Sequence, residues 1–140
     1  MLNKTVLVVE RDPFEAERIL DFFKKYNFRN KIEVVHSKTE ALDYIFATGE
    51  YKNRTDHEKP GLVLLDLLTD KTQDLKKLKP LQWYLNTQTI PLVILISSEA
   101  QEKEAREYDF GAVGFIRQPL DFTHFIELVQ YFGMKYKEQL

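Results

Sequence analysis

The sequence contains no cysteine, a single tryptophan and no apolar run that approaches the ~20 residues of a membrane span. Without cysteine the chain can form neither disulfide bonds nor a thiolate site, which is typical of proteins in a reducing compartment. The apolar stretch near the N-terminus is too short for an export signal, and repeats and low-complexity segments are absent. We therefore expect a soluble, cytoplasmic protein that does not enter a membrane.

The charges of the chain nearly balance. The sequence contains 20 Lys and Arg residues and 22 Asp and Glu residues, so the formal net charge is −2. The basic residues form no cluster. A nucleic-acid partner is therefore not expected. The hydrophobic share of 44% and the charged share of 30% are ordinary for a globular protein. A length of 140 residues suits one domain, so we predict that residues 1–140 form a single domain.

Short β-branched runs alternate with amphipathic stretches along the whole chain. The runs predict strands at residues 5–10, 31–35, 62–66, 92–97 and 112–117. The amphipathic stretches predict helices at residues 13–27, 37–49, 74–86, 99–109 and 121–137, the first capped by Asp12 and the second by Ser37. The polar residues 50–59 read as a mobile surface loop. Strict alternation predicts an α/β fold, a doubly wound parallel sheet of five strands with helices on both faces.

Two of the predicted strands end in acidic residues. Asp66 ends the third strand, and Glu10 ends the first, followed by Arg11, Asp12 and Pro13. Loops at the carboxyl ends of parallel strands are where such folds carry out their chemistry, so these acids predict a small pocket lined by oxygen atoms. Each acid alone is equally well explained as a residue that caps or solvates the start of a loop. Together they favour a functional site.

The strand ends also carry a resemblance to a family. The chain resembles, over essentially its whole length, a response-regulator receiver domain, the flavodoxin-like module of two-component signalling. In that family the first strand ends in two acids that hold Mg²⁺, the third in the aspartate that accepts phosphate, the fourth in Ser or Thr, and the fifth in Lys-Pro. The matching positions here are Glu10 and Arg11, Asp66, Ile96 and Ser97, and Gln118 and Pro119.

The resemblance implies further features. It implies the strand order 2-1-3-4-5 with five helices. Residues 110–120, which read FGAVGFIRQPL, are similar to the ending of the family. The long loop after the second helix resembles that of the small receivers associated with cyanobacterial phytochromes.

The first departure from the family concerns the metal. Arg11, a permanent cation, stands where receivers carry the second acid. In one arrangement its guanidinium reaches Asp66 or Glu10 and holds a metal-free pocket together, which predicts a measurable energetic coupling between Arg11 and Asp66. In the other arrangement, the Arg11 side chain points into the solvent, and Glu10 and Asp66 bind Mg²⁺ weakly.

A second departure is the loss of the lysine. Gln118 takes its place, and its amide can donate a hydrogen bond but brings no charge. Arg117 is adjacent to it in sequence, and neighbouring side chains of a strand point to opposite faces. We therefore expect that Arg117 does not replace the lysine.

The remaining departures concern the residues that usually relay phosphorylation. Counting from Pro91 places Ile96, rather than Ser97, at the position of the family's Ser or Thr, unless a bulge brings Ser97 there. Phe115 fills the aromatic switch position without a hydroxyl group and is equally well explained as core. Asp70 stands where the family commonly has proline. These changes predict that the usual route from aspartyl phosphate to a rearranged surface is broken.

Two functions remain in competition. We favour a pseudo-receiver, a signalling module rather than an enzyme, that acts through protein contacts with impaired or absent Mg²⁺-dependent phosphorylation and needs no cofactor. The alternative is a working receiver that accepts phosphate on Asp66 from a histidine kinase, with Glu10 as the main Mg²⁺ ligand. A flavodoxin-like cofactor binder is disfavoured because no glycine-rich loop follows the first strand. His36, His57 and His124 are too scattered for a histidine metal site.

Partners are expected in trans because the chain ends shortly after the last helix and contains no effector domain. The predicted partner is a signalling protein, either a histidine kinase or a downstream effector. A homodimer through the face of helix 4, strand 5 and helix 5 is also predicted, since aromatic residues are enriched there. Those residues are Tyr108, Phe110, Tyr131, Phe132 and Tyr136.

Overall fold

Five parallel strands form one sheet in the computed structural model, which describes residues 5–28, 30–55, 59–66, 79–108 and 114–131, except for the side chains of 122, 129 and 131. The sheet order is β2-β1-β3-β4-β5, so the predicted order is confirmed. The strands are β1 (Thr5–Val9), β2 (Ile32–Val35), β3 (Pro60–Asp66), β4 (Leu92–Ile96) and β5 (Gly114–Arg117). Glu10 and Ser97, predicted as the last residues of their strands, are instead the first residues beyond β1 and β4.

The helices of the described part are α1 (Pro13–Lys25), α2 (Lys38–Phe46), α3 (Lys79–Thr87), α4 (Glu99–Tyr108) and α5 (Phe122–Tyr131). Both predicted caps are confirmed. Asp12 accepts the Phe14 N–H at 2.9 Å, and Ser37 accepts the Glu40 N–H at 3.0 Å. The predicted first residues of the third helix and fifth strand and the predicted end of the fifth helix lie outside the described residues. No described helix is long and apolar enough to cross a membrane.

The core consists of two layers, one on each side of the sheet. Strand side chains alternate between them because successive residues of a strand point to opposite faces. One layer packs against α1 and α5 and includes Val8, Leu64, Leu95 and Ile116. The other packs against α2, α3 and α4 and includes Ile94 and Ile96. We refer to these as the α1/α5 face and the α2–α4 face.

The segment after α2 differs from its prediction. Helix α2 ends at Phe46 rather than near residue 49, since Ala47 adopts a left-handed conformation with φ of 55°, and a short 3₁₀ helix, Gly49–Tyr51, follows. Arg54 then donates hydrogen bonds to the carbonyls of Tyr44 (2.5 Å) and Ile45 (2.6 Å), near the end of α2. Up to residue 55 the predicted mobile loop is therefore an anchored segment; residues 56–58 lie outside the described part.

Candidate functional site

The register of the sheet decides which side chains meet Asp66. Asp66 of β3 pairs with Leu95 of β4, and Leu95 pairs with Ile116 of β5. Paired residues of parallel strands point to the same face, so Asp66 points toward the α1/α5 face. The same alternation places Ser97 and Gln118, two residues beyond Leu95 and Ile116, on that face as well.

A cleft of about 670 Å³ lies at the carboxyl edge of these strands. Its walls bring together five of the site residues expected from the sequence and several that were not. Its lining consists of Glu10, Arg11, Asp12, Pro13, Glu15, Arg18, Asp66, Ser97, Gln118 and Pro119. The Gln118–Pro119 peptide bond is cis. The sequence-predicted pocket thus exists, and α1 supplies one of its walls.

Ser97, and not Ile96, contributes to the cleft. Ile96 is 1% exposed and belongs to the core of the α2–α4 face. It still pairs with Arg117, with no irregularity between β4 and β5, so no bulge is needed to bring Ser97 into the cleft. The count from Pro91 pointed to Ile96, whereas alternation along β4 places the next side chain, that of Ser97, on the face of Asp66.

Phe115 and Arg117 lie away from the cleft. Both are on the α2–α4 side of β5, since Phe115 pairs with Ile94 and Arg117 with Ile96. The guanidinium carbon of Arg106 lies 4.3 Å from the centroid of the Phe115 ring, in a cation–π contact. The expectation that Arg117 does not replace the missing lysine agrees with this placement. Gln118 is half-buried and is the residue of this pair that lines the cleft.

Glu10 and Asp66 form a buried pair of acids. Glu10 is 1% exposed and Asp66 is 4% exposed. Oε2 of Glu10 accepts the Asp12 N–H at 3.3 Å, whereas its Oε1 is buried and has no hydrogen-bond partner among the described residues. Burial, the largest cause, and the neighbouring Asp66 carboxylate together raise the pKa of Glu10 to about 8. At neutral pH Glu10 is therefore mostly protonated.

Arg11 takes the second of the two arrangements that the sequence left open. Its side chain lines the cleft but is exposed, and it forms no ion pair with Glu10 or Asp66, all three of which belong to the described residues. A bridge would require the guanidinium to lose water.

The exposure of Arg11 changes the coupling expected between Arg11 and Asp66. We predict that the changes in unfolding free energy caused by Arg11→Ala and Asp66→Asn add to within ~0.3 to 0.5 kcal/mol in the double variant, because the two side chains make no direct contact. Urea denaturation of the four proteins at pH 7 measures this. An interaction energy above about 1 kcal/mol would show that Arg11 bridges the acids in solution.

The resemblance implies Mg²⁺, and the acidic side chains of the cleft are the groups that would hold it. Mg²⁺ prefers a shell of hard oxygen ligands and requires ionised carboxylates. Within the described ranges no group of three or more Asp, Glu, His or Cys residues is placed to hold a metal ion. One Asp12 oxygen already caps α1, and Arg11 brings a cation to the lining of the cleft. The residues that remain do not fit a tightly held Mg²⁺.

The other residues singled out from the sequence lie elsewhere. His36 is on the surface, its Nδ1 3.1 Å from the Glu10 carbonyl oxygen, and His124 is exposed on α5. Tyr108 is half-buried and packs against the core of the α2–α4 face. The remaining predicted positions lie outside the described residues or side chains: His57, Asp70, Phe110, Tyr131, Phe132 and Tyr136. The prediction of a dimer through this face therefore stays a prediction.

Sequence reasoning missed two features of the site. Arg18 and Glu15 of α1, joined by a 3.3 Å ion pair, line the cleft beside Gln118. Gln101 of α4 binds Ser97, with its Oε1 accepting both the Ser97 N–H and hydroxyl. The pattern Ser98-x-x-Gln101 is that of a capping box and could have indicated a role for Gln101 at the start of α4.

Comparisons with known proteins agree with the fold. No protein-family model matches the chain. It is similar to the solved structure of the bacteriophytochrome response regulator AtBRR, with 32% identity, a TM-score of 0.84, and coverage of 98% of this chain and 97% of that one. The bacteriophytochrome response regulator RtBRR follows at 26% identity and a TM-score of 0.80, covering 99% and 82%.

A curated relative is more distant. The probable methanogenesis regulatory protein FilR2 of Methanothrix harundinacea is 26% identical over 117 residues, which make up 84% of this chain and 73% of that protein.

Proposed function

Because the chain belongs to the response-regulator receiver family, we propose that it signals through protein contacts without depending on Mg²⁺-assisted phosphorylation of Asp66. The fold and the similarity to AtBRR support a receiver-type signalling module. Members of this family are signalling proteins, and we propose the same role, rather than that of an enzyme, for this chain.

The observation that carries the proposal is the buried pair of Glu10 and Asp66. Phosphoryl transfer to a carboxylate needs an ionised nucleophile and positive charge for the phosphoryl oxygens. With a pKa of about 8, Glu10 holds a proton where a receiver would use a second negative charge to attract a cation. Binding Mg²⁺ at neutral pH would have to displace that proton, which weakens the apparent affinity for the metal.

The part of the cleft formed by the end of β5 also lacks a buried positive charge. Gln118 occupies the place beside Asp66 that the ordinary receiver gives to an ammonium group, and Arg117 points to the other face. Arg11 and Arg18 are both exposed, so water screens their charge, and Arg18 is already paired with Glu15. Preorganised positive charge inside a dry site is what stabilises a transferring phosphoryl group. The described part of the cleft offers none in that form.

Two observations favour the alternative of a working receiver. Ser97 places a hydroxyl in the cleft, and the exposed Arg11 leaves the space between Glu10 and the solvent open to a cation. Phosphate could then be accepted by Asp66, with Glu10 as the main metal ligand once it has lost its proton. In this alternative the cation displaces the proton of Glu10 when it binds.

Incubation with acetyl phosphate and Mg²⁺ at pH 7 tests the proposal. We expect the intact mass of the wild type to show no lasting gain of a phosphoryl group, because the site lacks a held metal and an ammonium group. Asp66→Ala serves as the matched control. A phosphoryl-sized gain in the wild type that disappears in Asp66→Ala would establish the working receiver and refute the proposal.

The partner is proposed from the relatives. AtBRR and RtBRR are response regulators of bacteriophytochromes, and this chain is similar to both over nearly its whole length. We therefore propose that the partner in trans is a histidine kinase of the phytochrome type. Titration calorimetry against such a kinase should give the same affinity with and without Mg²⁺. Affinity that requires Mg²⁺ would contradict the metal-independent mode of signalling.

A further inference from the structure

Aromatic side chains are exposed on the outer side of α2 and α3. Trp83 of α3 is 67% exposed, and Phe46 of α2 is 50% exposed. The Phe46 ring meets the half-buried ring of Tyr84 edge to face, with centroids 4.9 Å apart and an angle of 71° between the planes. We refer to Phe46, Pro80, Trp83, Tyr84 and Thr87 as the α2–α3 patch.

The spacing of the patch residues on α3 is that of one side of a helix. The four positions follow the pattern i, i+3, i+4 and i+7, so their side chains lie along one stripe. Leu81 and Leu85, on the other side of the same helix, are buried in the core of the α2–α4 face. Three of the four stripe residues are exposed. The stripe is therefore an outward surface.

Charged groups are scarce on this surface. Lys79, at the first position of the described helix, is the only charged residue of α3. Lys59 lies beyond the other end, where it donates to the Gln88 side chain at 2.9 Å. On α2, Asp43 already accepts the Thr48 hydroxyl at 2.9 Å. Aromatic residues without charges are typical of the centre of a protein interface.

The distribution of charge favours a second copy of the same chain as the partner at this patch. In a two-fold contact each surface meets itself, so charges of one sign near the centre would repel one another. The stripe on α3 carries no such charge at its centre. In contrast, α4 carries four glutamates, one lysine and one arginine. Self-association is therefore opposed less at the α2–α3 patch than at α4.

We propose that two copies of this chain associate through the α2–α3 patch, with Trp83 of each copy packed against aromatic side chains of the other. The patch is small, so we expect a weak interface with a dissociation constant of roughly 10 to 100 µM. None of the patch residues lines the Asp66 cleft. The patch is also separate from the face of helix 4, strand 5 and helix 5.

Trp83 is the only tryptophan of the chain, so its fluorescence reports on this surface alone. Between about 5 and about 500 µM protein, the weight-average mass from sedimentation should approach that of a dimer. Over the same range the emission of Trp83 should shift to shorter wavelength. Its quenching by acrylamide should fall about twofold or more, because association removes the indole ring from water.

Two variants change the patch at exposed positions, where the fold should tolerate them. Phe46→Ser removes an aromatic ring but keeps Trp83 as the reporter, and it should raise the dissociation constant about tenfold or more. Trp83→Lys, followed by sedimentation, should abolish association because two ammonium groups would meet at the contact. Phe14→Ser is the matched control. Phe14 is a 79% exposed aromatic residue on α1, so its loss should leave association unchanged.

A wild type that stays monomeric at about 500 µM would overturn the inference, even if patch variants weaken the binding of another protein. A dimer that survives Phe46→Ser and Trp83→Lys but responds to Glu104→Lys on α4 would also overturn it, because the contact would then lie at α4. The measurement contains no Mg²⁺, phosphoryl donor or kinase. Its outcome is therefore separate from the tests of the proposed function.

Discussion

The unfolding free energy of the wild type should fall as pH rises from about 5 to about 9, and Glu10→Gln should remove most of that fall. Burial and the neighbouring Asp66 raise the pKa of Glu10 from 4.5 to about 8 in the folded chain. Between these values the folded state holds a proton that the unfolded state has released. The slope of stability against pH is then negative, so this group stabilises the fold fully below pH 4.5 and stops doing so above pH 8.

The size of the effect follows from the displacement of the pKa. Each pKa unit is worth about 1.4 kcal/mol, and relaxation around a buried pair reduces the total, so we expect a loss of about 2 to 4 kcal/mol across this range. At pH 9 Glu10→Gln should accordingly be more stable than the wild type. The glutamine side chain is neutral, and its burial costs less than that of a carboxylate. Urea denaturation at six or more pH values measures both quantities.

Two controls isolate the titration of Glu10. Asp66→Asn removes the repulsion but leaves the burial, so the fall in stability should shrink and move to lower pH. Glu104→Gln changes an exposed acid on α4 and should leave the pH profile of the wild type intact. If Glu10→Gln keeps the slope of the wild type, Glu10 does not carry a raised pKa in solution.

Phosphorylation should be gained in the double variant Arg11→Asp, Gln118→Lys. The aspartate adds a hard oxygen ligand at the cleft and removes a cation, and the lysine adds an ammonium group on the face of Asp66. Hydrogen bonds to charged groups contribute about 1.5 to 3 kcal/mol each, so each change is expected to raise the stability of the acyl phosphate by about 10- to 100-fold. The intact mass after treatment with acetyl phosphate and Mg²⁺ gives the phosphorylated fraction.

The matched controls change shape without supplying charge. Arg11→Asn removes the cation but adds no anionic ligand, and Gln118→Met preserves chain length without an ammonium group. The gain should require both charged substitutions for its full size and should vanish when Asp66→Ala is added. A double variant no better than the wild type would show that residues other than these two limit the chemistry.

Much of the fold follows from patterns that the sequence displays directly. The apolar runs and their alternation with amphipathic stretches predict the strands, their parallel arrangement and the edge at which Glu10 and Asp66 meet, and the resemblance adds the strand order and the place of Gln118. These features depend on burial of whole faces, which any one-residue shift would disrupt. The caps at Asp12 and Ser37 are equally local, since each side chain bonds a backbone N–H a few residues away.

The features that escaped prediction depend on pairing between distant residues. Counting from Pro91 selected Ile96, yet the pairing of Asp66 with Leu95 places Ser97 in the cleft. The position of Arg11 depends on whether its guanidinium loses more by leaving water than it gains by bridging a buried acid. Neither the register nor that balance can be read from residue types alone.

Arg54 reduces the conformational freedom of the connection between α2 and β3. Thirteen residues, 47–59, separate the two elements, and a free loop of that length would gain conformational freedom whenever its ends loosened. The guanidinium binds two carbonyls near the end of α2 and lies over the Tyr44 ring, its carbon 5.1 Å from the centroid. Only residues 55–59 then separate this anchor from Pro60. Insertions should therefore be tolerated between Arg54 and Pro60 but not between Ala47 and Arg54, where added residues would pull the anchor from the helix.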